Sequence, residues 1–493
     1  MPRKMPIFYS ALMLTGVNLL LRLVSTSFQV YISGRIGAAG VGLLQLVLSV
    51  GMLALTAGMA GVRTATMYLT AEELGHKRPQ NVGWVLSGCF LYSILCSGLI
   101  AMGLYFFAPV LASQWIGDIQ TVGAIRTLSA FLPITCLCGC MTGYFTAANR
   151  IGTLAAVEVA EQLLSMAVTM AALSFWAGTD AGRACQAVVL GSGVGACLTL
   201  ICLMLLRIRE RADTGPRIRI SHRLLETAVP LALADDLKAG ISSTENLMVP
   251  KRLSLYPGVQ NPLAAFGTIC GMVFPVMMFP AAILFGLAEL LIPELARCAA
   301  AGSQRRIGYL VRRSLRVAML YGFLCSGILF LIADKLCAAL YDNQEAGTYL
   351  QLYALLIPML YCDCITDAMT KGLGQQKICV RYNILTSSMD VAFLYLLLPR
   401  YGMNGYFFSF LVTHLLNFIL SLRLLFKISG TRISPTVPVF AFAAAGAAVW
   451  AASFLSATAG RCIGFVLIFG CLLILLKVLH KEDLQWLKGL FRI

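Results

Sequence analysis

Two basic side chains lie deep inside apolar stretches of the sequence. Arg22 interrupts a long apolar run near the start of the chain, and Lys238 occupies a similar place in a stretch that begins near residue 223. A charge at the centre of a bilayer costs at least ~2.5 kcal/mol even on translocon-insertion scales, so each side chain should face a partner or a cavity. Both residues are therefore candidates for binding an anionic group.

The depth of these residues can be read from the helix rise. At ~1.5 Å per residue, Arg22 lies roughly 24 Å along the first predicted span, and Lys238 lies at a similar depth on the seventh. The structural alternative is an ion pair, formed by Lys238 with Asp235 three residues away and by Arg22 with an acid elsewhere. Arg63 lies near the inner end of the second predicted span, where it could contact substrate or snorkel to the headgroups.

Carboxylates are more numerous in the apolar stretches than basic groups. Asp363 and Asp367 are four residues apart and share a helix face, as do Lys238 and Glu245 at a spacing of seven. The seventh span is the most polar and is expected to line a cavity. A buried carboxylate can carry a proton and paired carboxylates can hold Na⁺, whereas the alternative is an ion pair with no transport role. The candidates for ion coupling are Asp235, Asp236, Asp363, Asp367, Asp390 and Glu161.

The composition places the whole chain in the membrane class. Of its 493 residues, 59% are apolar and 12% are charged, and the mean hydropathy is +0.82. A span needs ~20 mainly apolar residues, and windows of that length predict an all-α polytopic membrane protein with about fourteen spans.

The distribution of basic residues predicts the topology. With the N-terminus inside, 27 of the 38 Lys and Arg residues fall in inner segments and 8 in outer loops. Basic loops are retained on the cytoplasmic side, so both termini are expected there. The net charge of +16 is then explained mostly by basic residues in cytoplasmic segments, which face anionic membrane lipids. Nucleic-acid binding is not needed to explain it.

Short matches indicate an internal repeat. The Ser-Thr-Ser run at 25–27 and the Ser-Ser-Thr run at 242–244 are followed by Arg35 and Arg252, and both pairs are 217 residues apart. Six predicted spans separate the matches, so the two halves have the same orientation and enclose a cavity at their interface. The predicted domains are a six-helix bundle at 1–206, a basic cytoplasmic linker at 207–222, a second six-helix bundle at 223–427, and an extra helix pair with a cytoplasmic tail at 428–493.

Several motifs resemble those of one transporter superfamily. The stretches IGAAGVGLLQ at 36–45, TAGMAGVR at 56–63 and PRYGMNG at 399–405 are similar to stage V sporulation protein B and related polysaccharide exporters. LIPELA at 291–296 resembles the end of the eighth helix of MurJ-type lipid II flippases. The chain is thus identified as a member of the multidrug, oligosaccharidyl-lipid and polysaccharide exporter superfamily, in the branch with fourteen helices.

This resemblance implies an alternating-access flippase in the bacterial cytoplasmic membrane. Its substrate would be an undecaprenyl-diphosphate-linked saccharide, such as the peptidoglycan precursor lipid II, and we expect it to act as a monomer. Arg22 matches the first arginine of the flippase motif, whereas Phe28 and Gln29 stand where that motif has an Arg-Asp pair. The predicted substrate contacts are Arg22, Lys238, Arg63, Gln29 and Glu245.

Two other functions compete with this one. A proton- or sodium-coupled multidrug exporter of the same superfamily is favoured by the many acids within spans and by the missing second arginine. An enzyme is disfavoured, because no loop is long enough for a catalytic domain and the four histidines (His76, His222, His414 and His480) have no metal-ligand spacing. No catalytic residue, metal or cofactor is expected, apart from a coupling H⁺ or Na⁺.

Overall fold

A computed structural model describes residues 7–76, 78–178, 180–208, 221–431, 436–476 and 478. Most of the predicted linker and the whole predicted cytoplasmic tail beyond residue 478 lie outside the described residues. Within those ranges all regular elements are helical and no strand occurs, which confirms the all-α prediction.

Within the described ranges, the α-helices are linked by short turns and by short 3₁₀ and π segments. In chain order they are α1 (Ile7–Met59), α2 (Val62–Gly75), α3 (Val82–Val110), α4 (Val122–Ala147), α5 (Ile151–Ala172), α6 (Ala181–Ile208), α7 (Ser221–Leu253), α8 (Pro262–Gly267), α9 (Phe274–Met278), α10 (Ala282–Ala300), α11 (Gln304–Tyr341), α12 (Gln344–Ala354), α13 (Ile357–Gly372), α14 (Gln376–Ser429), α15 (Thr436–Ser453) and α16 (Thr458–Leu475).

Membrane-crossing segments account for most of this helix content. Among the described residues, nine helical segments are long and apolar enough to cross a membrane, and two bent helix pairs raise the number to eleven. The 33-residue helix α7 is long enough but too polar to be counted. The prediction of many spans is thus confirmed, while the number fourteen remains a prediction.

The two longest helices are each broken at a glycine. The 54-residue helix α14 would be roughly 81 Å long if straight, far more than the ~30 Å hydrocarbon core. Gly402 (φ 57°, ψ −136°) divides it, and Gly37 (φ 68°, ψ 178°) divides α1. Gly37 belongs to the IGAAGVGLLQ motif and Gly402 to the PRYGMNG motif. Glycine can form both breaks because it adopts positive φ at little cost.

By packing, the chain forms two compact units. One contains residues 1–34 and 268–493 and is called here the Arg22 unit; the other contains residues 35–267 and is called the Lys238 unit. The predicted domains follow chain order, whereas packing places the first half of α1 with α9 to α16 and places α7 with α2 to α6. The predicted boundaries at 206 and 223 remain a prediction.

In the Lys238 unit, a glycine allows close contact between α2 and α7. Gly61 has a φ of 72°, and a Cβ there would collide with the carbonyl oxygen of Ala228. Small residues at such contacts let helix backbones approach closely. Gly61 therefore serves this contact through both its small size and its positive φ.

Replacing Gly61 by alanine is expected to destabilise the protein by roughly 2–5 kcal/mol, from left-handed backbone strain and from overpacking. Thermal unfolding of the detergent-purified protein measures the effect. Gly98→Ala is the matched control, since a Cβ at Gly98 meets nothing within 4 Å. Equal melting temperatures for the two variants would show that the α2–α7 contact tolerates a side chain.

The chain bends by 63° between the segments Pro262–Met278 and Ala282–Ala300, and Pro280 lies at this break, within the Arg22 unit. Proline removes a backbone donor and frees the carbonyl one turn before it. Tyrosine hydroxyls donate to carbonyls in this segment, from Tyr361 to Met277 at 2.9 Å and from Tyr321 to Pro280 at 2.9 Å. The bend is therefore fixed by hydrogen bonds from α11 and α13.

Candidate functional site

Arg22 lies on α1 in the Arg22 unit and is half-buried. Its guanidinium carbon is 4.6 Å from the ring centroid of Phe285, which follows the bend of α8 to α10. Tyr361 and Cys364 of α13 are close enough to interact with it electrostatically. No carboxylate lies within 4.0 Å of Arg22 in the part of the chain that the structure describes, so the alternative of an ion pair is not observed there.

Lys238 lies on the exposed side of α7 in the Lys238 unit. The predicted alternative, an ion pair with Asp235, is not formed, and within the described ranges no other carboxylate is within 4.0 Å of its ammonium group. Asp236, next to Asp235, is half-buried, and its Oδ1 is buried without a hydrogen-bond donor. Glu245 is half-buried and already engaged in an interaction. Because Arg22 and Lys238 belong to different units, their convergence on one ligand remains a prediction.

The other two predicted substrate contacts have different surroundings. Arg63 is exposed on α2, within electrostatic range of Glu158 on α5. Gln29 donates its side-chain amide to the carbonyl oxygen of Gly271 at 3.3 Å. That amide group therefore stabilises an irregular part of the α8 to α10 segment, and a substrate would have to compete with Gly271 for it.

The three predicted coupling acids of the Arg22 unit differ in what neutralises them. Asp367 forms an ion pair with Lys371 at 2.6 Å, one turn along α13. Asp390 is buried and accepts hydrogen bonds from the hydroxyls of Ser409 and Thr413. Asp363 has no basic partner within 4.0 Å among the described residues. Of the three acids, Asp367 is therefore the one whose charge is balanced by a basic side chain among the described residues.

Asn417 of α14 is the neighbour of Asp363. Its amide nitrogen donates to both carboxylate oxygens of Asp363, at 3.2 and 3.4 Å, and its Oδ1 is buried without a partner. Two carboxylate oxygens and one amide oxygen are ligands that a hard cation prefers. In the observed arrangement the amide nitrogen faces Asp363, which can take up a proton, whereas a shared cation requires the Asn417 amide to turn so that Oδ1 faces the carboxylate.

Asn417 belongs to a polar stripe on the second half of α14 that sequence reasoning missed. Its members are buried and recur every four residues, which places them on one helix face. The recurrence was visible in the sequence, but small polar residues are common at helix contacts and do not by themselves mark a site. The stripe consists of Ser409, Thr413, Asn417 and Ser421.

In the Lys238 unit, the coupling candidate Glu161 of α5 accepts a hydrogen bond from the hydroxyl of Thr199 on α6 at 2.6 Å. This bond joins two helices and is consistent with a structural role as well as with a role in coupling. Across the described ranges, no group of three or more His, Cys, Asp and Glu side chains could hold a metal ion.

Ion pairs join helix ends on the predicted cytoplasmic side. Arg223 at the start of α7 contacts Glu72 at 2.7 Å and Glu73 at 3.1 Å, and Asn81 also donates to Glu73 at 2.9 Å. In the Arg22 unit, Glu294 pairs with Arg306 at 2.7 Å. Glu73 and Glu294 are 221 residues apart, close to the offset of the internal repeat. The internal repeat itself remains a prediction, with which this spacing agrees.

Replacing Glu73 by glutamine is expected to cost about 1–3 kcal/mol of stability, because a buried acceptor of two hydrogen bonds loses its charge. The melting temperature of the purified protein measures the loss. Glu226→Gln on the same helix surface as Arg223 is the control, since Glu226 is exposed and pairs only with His222 among the described residues. A Glu73→Gln protein as stable as this control would mean that Asn81 alone holds α2 in place.

Together, the many apolar helices, the broken helices and the charges within spans define a multi-pass membrane transporter. The chain belongs to the MatE family, whose sequence profile matches residues 15–173 and 256–396. This match confirms the resemblance to the superfamily that the motifs indicated.

The chain is also similar to characterised proteins and solved structures. It is 20% identical over 407 residues to Stage V sporulation protein B of Bacillus subtilis (strain 168). The aligned residues cover 79% of this chain and 77% of that protein. The lipid II flippase MurJ in an inward closed conformation matches with a TM-score of 0.68 and 12% identity, covering 96% of this chain and 99% of the other. An inward-facing multidrug resistance MATE family transporter matches with a TM-score of 0.67 and 15% identity, covering 84% and 98%. These structural matches establish the fold.

Proposed function

We propose that this protein is an alternating-access flippase that moves an undecaprenyl-diphosphate-linked saccharide across the bacterial cytoplasmic membrane, with both termini inside. The observation that carries the proposal is Arg22, a half-buried arginine of a membrane span with no carboxylate within 4.0 Å among the described residues. The sequence relative is a sporulation protein, and one structural relative is named a lipid II flippase.

The chemistry of Arg22 suits a diphosphate. A guanidinium group forms charge-assisted, often bidentate hydrogen bonds to phosphate oxygens, and such contacts are stronger where the effective dielectric constant is low. Phe285 stacks against the guanidinium carbon at 4.6 Å and leaves the N–H groups at its edge available to a ligand. A substrate diphosphate would thereby supply the counter-charge of Arg22.

We propose that a cation or proton bound at Asp363 couples this transport to an ion gradient. The support is the uncompensated carboxylate beside the unpartnered Oδ1 of Asn417. Occupying this site would neutralise a charge between α13 and α14, which contribute to the same unit as Arg22.

A proton- or sodium-coupled multidrug exporter is the second candidate. The same carboxylate favours it, since a cation site can drive drug export as well as lipid flipping, and solved multidrug transporters share the fold. A cationic drug, however, would be repelled by an uncompensated arginine in its path. Arg22 therefore favours an anionic substrate.

A leaflet-resolved assay of lipid II translocation tests the proposal. Purified protein in vesicles with labelled lipid II should increase the fraction accessible to an impermeant reagent on the opposite leaflet, relative to empty vesicles. Resistance of expressing cells to cationic dyes is measured in parallel. Dye resistance without any lipid II translocation would favour the exporter and contradict the flippase.

A further inference from the structure

A half-open cavity of about 440 Å³ is formed by residues of the Arg22 unit. It is bounded by α11, α13, the second half of α14 and the start of α15, and its size falls in the range of small-molecule sites, ~300–1,000 Å³. Its charged lining residues are Arg312 and Arg316 of α11. The remaining walls are formed by apolar residues and one cysteine, namely Leu315, Met319, Phe323, Pro358, Met359, Cys362, Phe418, Leu422, Phe426, Val437 and Pro438.

The cavity has a polar end and an apolar end. Phe323 lies eleven positions after Arg312 on α11, roughly 16 Å along the helix axis. This length is about half of the ~30 Å hydrocarbon core, the depth of one leaflet. The cavity is thus shaped for an amphiphile with a negative head and a tail that spans one leaflet.

The surrounding charge identifies the leaflet. The first turns of α11 carry five arginines, and the end of α14 adds Arg423 and Lys427. Such basic helix ends are retained on the cytoplasmic side and attract the anionic lipids of the inner leaflet. The lining arginines therefore lie at the level where inner-leaflet phosphates are found.

The cavity and the Arg22 site lie on different faces of α13. Cys362 lines the cavity, whereas Cys364 is near Arg22. Residues two apart on an α-helix do not share a face. A ligand in the cavity is therefore separated from the proposed substrate contact by the helix itself.

We propose that this cavity binds an anionic phospholipid of the inner leaflet as a resident lipid, with one acyl chain between α11 and α14 and its phosphate at Arg312 and Arg316. A phospholipid fits better than a polyprenyl substrate, because one acyl chain matches the length lined between Arg312 and Phe323, whereas a polyprenyl chain is several times longer than one leaflet. The bound chain fills the space beside the start of α15 and so supports the attachment of the C-terminal helices. The inference goes beyond the proposed function, since it holds whatever the protein transports.

Native mass spectrometry of detergent-purified protein, titrated with phosphatidylglycerol or phosphatidylethanolamine, tests the site. The wild type is expected to retain phosphatidylglycerol preferentially. Replacing Arg312 and Arg316 by glutamine should weaken phosphatidylglycerol binding roughly 30-fold, about fivefold for each basic group, and leave phosphatidylethanolamine binding unchanged. Met319→Trp, which fills the cavity, should weaken both lipids.

The matched control is Arg305→Gln combined with Arg381→Gln, which removes two exposed basic groups from the same unit away from the cavity. This control should bind phosphatidylglycerol as the wild type does. If phosphatidylglycerol binding weakens equally in the control and in the Arg312/Arg316 variant, the proposal is overturned. Displacement of bound phosphatidylglycerol by undecaprenyl phosphate at equal concentration would also overturn it. Size-exclusion profiles establish that each variant is folded, and none of these measurements depends on lipid II translocation.

Discussion

Replacing Arg22 by alanine is expected to lower lipid II translocation about 100-fold while the amount of protein in the membrane stays at the wild-type level. Truncating one partner of a desolvated charge pair costs ~2–5 kcal/mol, and about 2.7 kcal/mol corresponds to 100-fold. The stability of the protein should change little, because no carboxylate among the described residues would lose an ion-pair partner when Arg22 is truncated. The leaflet-resolved assay measures the rate, and immunoblotting of membranes measures the amount.

Two variants make this result specific. Arg22→Lys keeps the charge but loses the planar donor geometry, so an intermediate loss of roughly tenfold is expected. Arg126→Ala removes another arginine that lies over an aromatic ring, at 5.1 Å from Tyr105, and should transport normally.

The prediction extends to Lys238. Its ammonium group has no acidic partner within 4.0 Å in the described part of the chain, so Lys238→Ala should also reduce translocation if both cations bind the diphosphate. Normal complementation of a flippase-deficient strain by the double variant Arg22→Ala with Lys238→Ala would refute the diphosphate site.

The sequence predicted the helical class, the family and the residues worth testing, because each follows from a strong local signal. A charge within an apolar span is costly wherever it lies, so Arg22, Lys238 and Asp363 could be selected without a structure.

The partners of those residues could not be predicted, because they come from distant helices. Asp367 is compensated within its own helix by Lys371, whereas its neighbour Asp363 faces Asn417, 54 residues further along the chain. The spacing of four makes the pairing of Asp367 with Lys371 readable from the sequence, whereas nothing local indicates the contact of Asp363 with Asn417. Nor did chain order indicate that α7 packs against α2, since that contact depends on Gly61 and the backbone at Ala228.

This difference between the two acids leads to a prediction about ion coupling. Asp363→Asn is expected to abolish the stimulation of transport by an imposed Na⁺ or proton gradient and to weaken cation affinity at least ~10-fold, because it removes the charged ligand of the site. Proteoliposomes with and without each gradient measure the stimulation, and the gradient that stimulates the wild type identifies the coupling ion.

Asp367→Asn is the matched control on the same helix. Its carboxylate is already neutralised by Lys371 at 2.6 Å, and a partly exposed pair of this kind contributes only ~0–1 kcal/mol, so gradient stimulation should persist. Asn417→Ala should resemble Asp363→Asn, because it removes the amide oxygen that would complete the cation site. If Asp363→Asn still responds to the gradient while Asp367→Asn does not, the coupling site lies at Asp367 and the pairing with Asn417 is structural.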